Sequence, residues 1–184
     1  LTIDVQVEQD AHALITTPAA TKFYRSSGHC AKQTQTIRVA SGAALEWVPQ
    51  ETVYFNQSIV QNHTRIELNN HAKLIAWDIQ CLGLPVSNEP FTDGHCEQRL
   101  EVYRNNRPLL LECNRLYGHS TLLTNTYGLH DKKAFGTLIA TCDQTDLVDA
   151  LRNNPQWNNQ PALLAFGTFN GLLICRVLAE FSYQ

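Results

Sequence analysis

LITTPAATKFYRSSG, Leu14 to Gly28, and ALEWVPQE, Ala44 to Glu51, are the stretches whose reading decides the fold. Leu14 to Thr17 reads as the end of a strand stopped by Pro18, because proline locks φ and removes a backbone donor. Small residues turn the chain and present Lys22, Tyr24 and Arg25 ahead of Ser26-Ser27-Gly28. Ala44 to Val48 is a short strand that stops at Pro49 and then shows a carboxylate, Glu51.

The same grammar continues outward in both directions. Leu1 to Val7 alternates apolar and polar residues, the period of a strand with one buried face. Thr34 to Ala40 and Thr64 to Leu68 alternate likewise, and Thr52 to Phe55 is rich in β-branched and aromatic residues. Lys73 to Ile79 is the most apolar strand, and its near-continuous character predicts burial on both faces. Arg99 to Arg104 and Pro108 to Glu112 flank Asn105-Asn106, a hairpin turn, since asparagine tolerates positive φ. Tyr117 to Lys133 reads as loop with a short strand, and Phe135 to Thr141 as strand. Asp143-Gln144-Thr145 offers a helix cap before Asp146 to Arg152, with acids in the first turn where the helix dipole favours them. Leu163 to Gly167 and Leu172 to Leu178 pair around Asn170-Gly171. The sum is an all-β chain of about ten short strands with one or two short α-helices. No exact internal repeat is visible, so periodicity alone does not establish a solenoid.

The bulk numbers narrow the function. The 184 residues are 43% hydrophobic and 17% charged, which suits one packed domain over residues 1–184. A net charge of −3 argues against a nucleic-acid partner. No apolar run is long enough to cross a membrane, and no basic segment precedes an apolar one as in a secretory leader. The six cysteines, Cys30, Cys81, Cys96, Cys113, Cys142 and Cys175, are widely spaced and read as free thiols of a cytoplasmic protein. The sequons at Asn56 and Asn62 then read as accidental. The chain holds no methionine and begins at Leu1, so a piece of a longer protein is expected.

No phosphate-binding loop, dinucleotide fingerprint, zinc-protease helix or nucleophile elbow occurs, so no nucleotide is expected as a cofactor. Gly-His-Cys appears at Gly28-His29-Cys30 and Gly94-His95-Cys96, and imidazole with thiolate suits nickel, copper or zinc. Neighbouring ligands on a strand splay apart, however, which weakens that reading. Three carboxylates lie in apolar surroundings. Glu46 precedes Trp47, Asp78 follows Ala76-Trp77, and Glu112 follows three leucines. Either each points to solvent by alternation, or each sits inside with a partner, a wet cavity or a raised pKa. A row of hydrated carboxylates inside a β protein would make a path for a divalent cation, held weakly by hard oxygen ligands. Lys22 and Arg25 either bind an acidic surface or are solvated beside Phe23 and Tyr24 as core anchors.

Together with LIAWDIQCLGLPV (74–86), the F-x-x-G of Phe91 to Gly94, RLEVY (99–103) and PLLLE (108–112), the two opening motifs resemble the urease accessory protein UreD (UreH) family. The resemblance runs in one register from Leu1 to Glu112 and continues through FGTLIAT (135–141) and the helix at 145–152. It implies an all-β, β-helix-like stack of short strands and a scaffold that is not an enzyme. It further implies docking on apo-urease with UreF, and with UreG through UreF, in the cytoplasm. Nickel is then in transit and not tightly held. Asp78 and Glu112 match polar family positions associated with an internal nickel tunnel, and Thr21 matches more weakly. Relative to the family, N-terminal strands and a C-terminal helix are expected to be missing, and Glu180 to Gln184 fits the pattern poorly. Two rival readings are a carbohydrate-active enzyme on a β-helix, which needs paired acids in an open groove, and a metal-storage protein using the Gly-His-Cys pairs.

Overall fold

A computed structural model describes residues 1–142, 144–157 and 160–182. The chain winds as a coil, laying strands alternately in two sheets. β1 (Thr2–Val7) enters the first sheet, and β2 (His12–Ile15) and β3 (Thr21–Phe23) the second. β4 (Ala31–Val39) stacks parallel on β1. β5 (Ala44–Trp47) stacks on β2, and β6 (Thr52–Tyr54) on β3. β7 (Ile59–Leu68) follows β4, and β8 (Lys73–Leu82) spans both β5 and β6. β9 (His95–Arg104) is the last parallel rung, and β10 (Arg107–Tyr117) turns back on it antiparallel. β11 (Ala134–Thr141) pairs antiparallel with β8 and β13 (Leu172–Ala179), and β12 (Leu163–Phe169) closes the second sheet on β13. The architecture is therefore mainly β and solenoid-like, as expected, with α1 (Thr145–Arg152) its single α-helix among the described residues.

The two asparagine turns behave as their chemistry requires. Asn105 and Asn106 take φ of 49° and 61°, and Asn170 and Gly171 take 49° and 75°. Two successive positive φ values match the twist of the strands they join. Of the expected helix cap, Asp143 lies outside the described residues, while Gln144 stands at the cap position without a side-chain cap bond.

Three expectations need correction. The strands number thirteen among the described residues, and β7 to β10 are each ten or eleven residues long. β7 and β9 begin earlier than the apolar alternation predicts, because polar Asn62 and Gln98 take inward positions there, whereas β8 and β10 run further at their ends. The segment 117–133 carries no strand beyond the end of β10, only a 3-10 turn at Thr121–Leu123. β8 is buried on both faces only toward its end, and Ile75 remains 45% exposed.

Burial divides the interior in two. One core joins Ile37, Val39, Leu45, Trp47, Ile66, Leu74, Val102 and their neighbours. A second joins Phe23, Tyr54, Val60, Leu82, Phe91, Cys96 and Leu116. Phe23 stacks on Tyr54 with ring centroids 5.6 Å apart, whereas Tyr24 lies outside on Phe55. Of that pair, only Phe23 is a core anchor. Each fully buried aliphatic side chain adds roughly 1.5–3 kcal/mol. Ile66→Ala, at a fully buried site, is expected to lower unfolding free energy by about 2–5 kcal/mol. Leu14→Ala, on the exposed face of an edge strand, should change it by less than about 0.5 kcal/mol. Urea titration of both variants checks the contrast.

Candidate functional site

Between the two apolar cores runs a polar belt. Register places Gln33, Asn62, Gln98 and Asn114 in one row across β4, β7, β9 and β10. The next row holds Gln35, Thr64, Leu100 and Glu112. Facing them on the second sheet are Thr21, Thr52 and Gln80 in one row, and Asp78 beside Thr137 in the next. Gln33, Gln35, Asn62, Thr64, Gln80 and Gln98 are all buried. Buried amides need partners, and those of Gln35, Asn62, Gln80 and Gln98 bond within the belt.

Two hydrogen-bond chains result, and both end on Asp78. In the first, Asn114 Nδ2 donates to Gln98 Oε1 at 2.8 Å, and Gln98 Nε2 donates to Asp78 Oδ2 at 2.6 Å. In the second, Gln35 Nε2 donates to Asn62 Oδ1 at 3.4 Å, and Asn62 Nδ2 donates to Tyr54 Oη at 3.4 Å. The Tyr54 hydroxyl donates to Gln80 Oε1 at 2.6 Å, and Gln80 Nε2 donates to Asp78 Oδ1. Burial raises the Asp78 pKa to about 6, against the lowering effect of the Gln98 and Gln80 bonds. The Tyr54 hydroxyl is pushed well above its ordinary value by burial first, then by Cys96 and Asp78.

Asp78 lines a narrow cavity with about 30 Å³ of room for water centres. That space exceeds the ~10–15 Å³ a water needs, and the polar groups set among its apolar walls supply partners. Thr21, Gln33, Gln35, Thr52, Thr64 and Thr137 share the lining. The two opening motifs close one side. Thr16 Oγ1 donates to Val48 O at 2.7 Å, Gln50 N to Thr17 Oγ1 at 2.9 Å, and Thr21 N to Glu51 O at 2.9 Å. Trp77 Nε1 donates to Pro49 O at 2.7 Å.

The predicted site residues separate. Asp78 and Thr21 face this cavity. Glu112 is mostly buried at the belt's margin and is clasped by Arg176, whose Nη1 lies 2.8 Å from Oε2. Glu46 lies on the solvent side, 2.8 Å from His12. Cys96 is buried in the second core with its thiol pushed up to about 12, whereas Cys30 is exposed. The described residues contain no group of three or more His, Cys, Asp or Glu placed to hold a metal. Asn62, within a sequon, is buried and unavailable to modification. Sequence reasoning missed Gln80, Gln98, Asn114, Thr137 and Arg176. A signal existed for the glutamines, in amide side chains at inward-facing positions of strands.

Fold and site together define a mainly β, solenoid-like protein whose interior holds a hydrogen-bonded polar belt, with the Asp78 carboxylate on the wall of a small cavity. The chain belongs to the UreD urease accessory protein family, whose model matches residues 1–184. It is 39% identical to "Urease accessory protein UreD" of Pseudomonas fluorescens, over 100% of this chain and 64% of that protein. It is 36% identical to the protein of the same name from Alcanivorax borkumensis, over 97% and 60%. With the Escherichia coli protein of that name it shares 46% over 61% of this chain and 40% of that one. The chain thus spans less than two thirds of the length of these curated relatives.

The raised Asp78 value has a pH consequence. Its folded-state pKa, about 6, stands above the ordinary 3.8, so its contribution to stability is complete below about pH 4. That contribution is lost as pH rises through about 6, at a cost of about 3 kcal/mol. Urea unfolding between about pH 4 and pH 7 should show a steeper decline for wild type than for Asp78→Asn. Parallel profiles would refute the assignment.

Proposed function

We propose that this chain acts in urease maturation as a non-catalytic scaffold in the cytoplasm. It docks on apo-urease together with UreF, and with UreG through UreF, and helps deliver nickel to the urease active site. Membership of the UreD family supports the maturation role. The observation that carries the nickel step is the polar belt ending on Asp78, beside a cavity with room for water. Oxygen donors of one carboxylate, amides and hydroxyls hold a divalent ion weakly enough to release it. A carboxylate with a pKa near 6 also exchanges a proton for a metal ion close to neutral pH. Nickel is cargo in this reading. Thr21, on the cavity wall, and Glu112, at the belt's margin, extend the path. Among the described residues, no helix is long and apolar enough to cross a membrane.

The rival readings find less support. Asp78 and Glu112 do not share an open groove of the kind a glycosidase needs, and the two Gly-His-Cys cysteines differ in burial and are not gathered into a metal cluster. Co-purification of this chain with UreF, UreG and apo-urease tests docking, and failure to recover the assembly would count against it. Asp78→Ala with Glu112→Ala should leave that assembly intact and lower the nickel content of urease, measured by elemental analysis. Normal loading in the double variant removes the nickel path.

A further inference from the structure

Glu112 does not stand open to a visiting ion. Both terminal nitrogens of Arg176 hold its carboxylate, and Nη1 lies 2.8 Å from Oε2. The same Nη1 lies 2.9 Å from Thr137 Oγ1. One positively charged nitrogen therefore bridges an oxygen from β10 and one from β11. Carboxylate and hydroxyl oxygens around a positive charge are also what a divalent cation uses. Asn114 lies two residues along β10 from Glu112, so its side chain falls on the same face. Its amide nitrogen is committed to Gln98, which leaves its side-chain carbonyl available.

Thr137 is a shared wall. It lines the inner cavity with Asp78, and it also lines an outer pocket of about 310 Å³ with Asn114 and Arg176. The guanidinium therefore sits on the outer-pocket side of this shared residue, in contact with its hydroxyl. Burial lowers the pKa of Arg176 from its ordinary value, and the Glu112 carboxylate is the counter-charge in contact with it.

We propose that Arg176 is a tethered cation seated in a latent divalent-cation site made by Glu112, Thr137 and Asn114, and that it keeps the step between the Asp78 cavity and the outer pocket closed. The proposal rests on the transit reading above and supplies its control. A free divalent ion and the guanidinium compete for one carboxylate and repel each other at that distance. The ion reaches Glu112 only when the arginine leaves.

Arg176→Gln removes the charge, and Arg176→Lys keeps a charge on a single-point donor without the planar fork. Nickel binding to the purified chain is measured by calorimetry at neutral pH, with and without Glu112→Gln added. Arg176→Gln should bind nickel about tenfold tighter than wild type, with Arg176→Lys between them. The gain should vanish when Glu112→Gln is combined with Arg176→Gln. Circular dichroism establishes folding, and Arg176→Lys retains the interior charge should Arg176→Gln unfold. Wild-type affinity in Arg176→Lys, and in Arg176→Gln where folded, overturns the proposal, as does a gain that survives Glu112→Gln. The readout is metal binding by this chain alone. Failure here leaves the nickel-loading result for Asp78 and Glu112 standing, and failure there leaves this one standing.

Discussion

Both hydrogen-bond chains in the interior run toward one acceptor, the Asp78 carboxylate, and the order of the belt depends on it. Amides both donate and accept, so a row of them has no preferred direction by itself. An ionised carboxylate accepts only, and it fixes the direction of every link behind it. Gln98 and Gln80 each turn a nitrogen toward Asp78, and so present their oxygens to Asn114 and Tyr54. With an apolar residue at position 78, two buried amide nitrogens would lose their acceptor, each at a cost of about 1–3 kcal/mol.

Stability alone does not call for such a belt. The same coil packs a dry core on either side of it, with Ile66 and Leu74 in one and Val60 and Leu82 in the other. Replacing buried polar groups with well-packed apolar ones is often neutral or favourable. The parallel stack makes the belt possible, because each strand presents its inward residues at the same height as its neighbour. Gln33, Asn62 and Gln98 meet for that reason, and the antiparallel return of β10 brings Asn114 into the same row. The clasp of Thr16, Thr17 and Thr21 on Val48, Gln50 and Glu51 holds one side of the layer.

The sequence disclosed the parts of the fold whose inward residues are apolar. Ile37 and Val39, Ile66 and Leu68, and Leu100 and Val102 marked the ends of β4, β7 and β9. The beginnings of those strands were hidden, because Gln33, Gln35, Asn62, Thr64 and Gln98 point inward where alternation predicts apolar residues. The polar belt that forms the candidate site is the feature that blurred the strand boundaries. Asp78 was singled out by its apolar neighbours, and it lies in the cavity wall. Arg176 was not, since a lone arginine in LLICRVLA reads as an outward residue of an edge hairpin. Only the pairing of β13 with β11 brings it beside Thr137 and within reach of Glu112. Such a contact joins residues far apart in the chain, and no local pattern encodes it.

The thiols next to the belt bear on what it can carry. Cys96 is two residues from Gln98, and Cys81 directly follows Gln80. Nickel bound by thiolate would be held tightly, because soft sulfur ligands suit it and dissociate slowly. A thiol becomes a ligand of that strength only when it is deprotonated. Burial pushes the Cys96 thiol up to about 12 and the Cys81 thiol to about 11, so both stay protonated near neutral pH. The polar part of the lining is then carboxylate, hydroxyl and amide, set among apolar walls such as Ile3, Ile66 and Ile139. Under the transit reading, the dry cores on either side of the belt therefore serve the passage as well as the fold. They hold the neighbouring sulfurs neutral and leave the exchangeable carboxylate at Asp78 as the strongest ligand the ion meets.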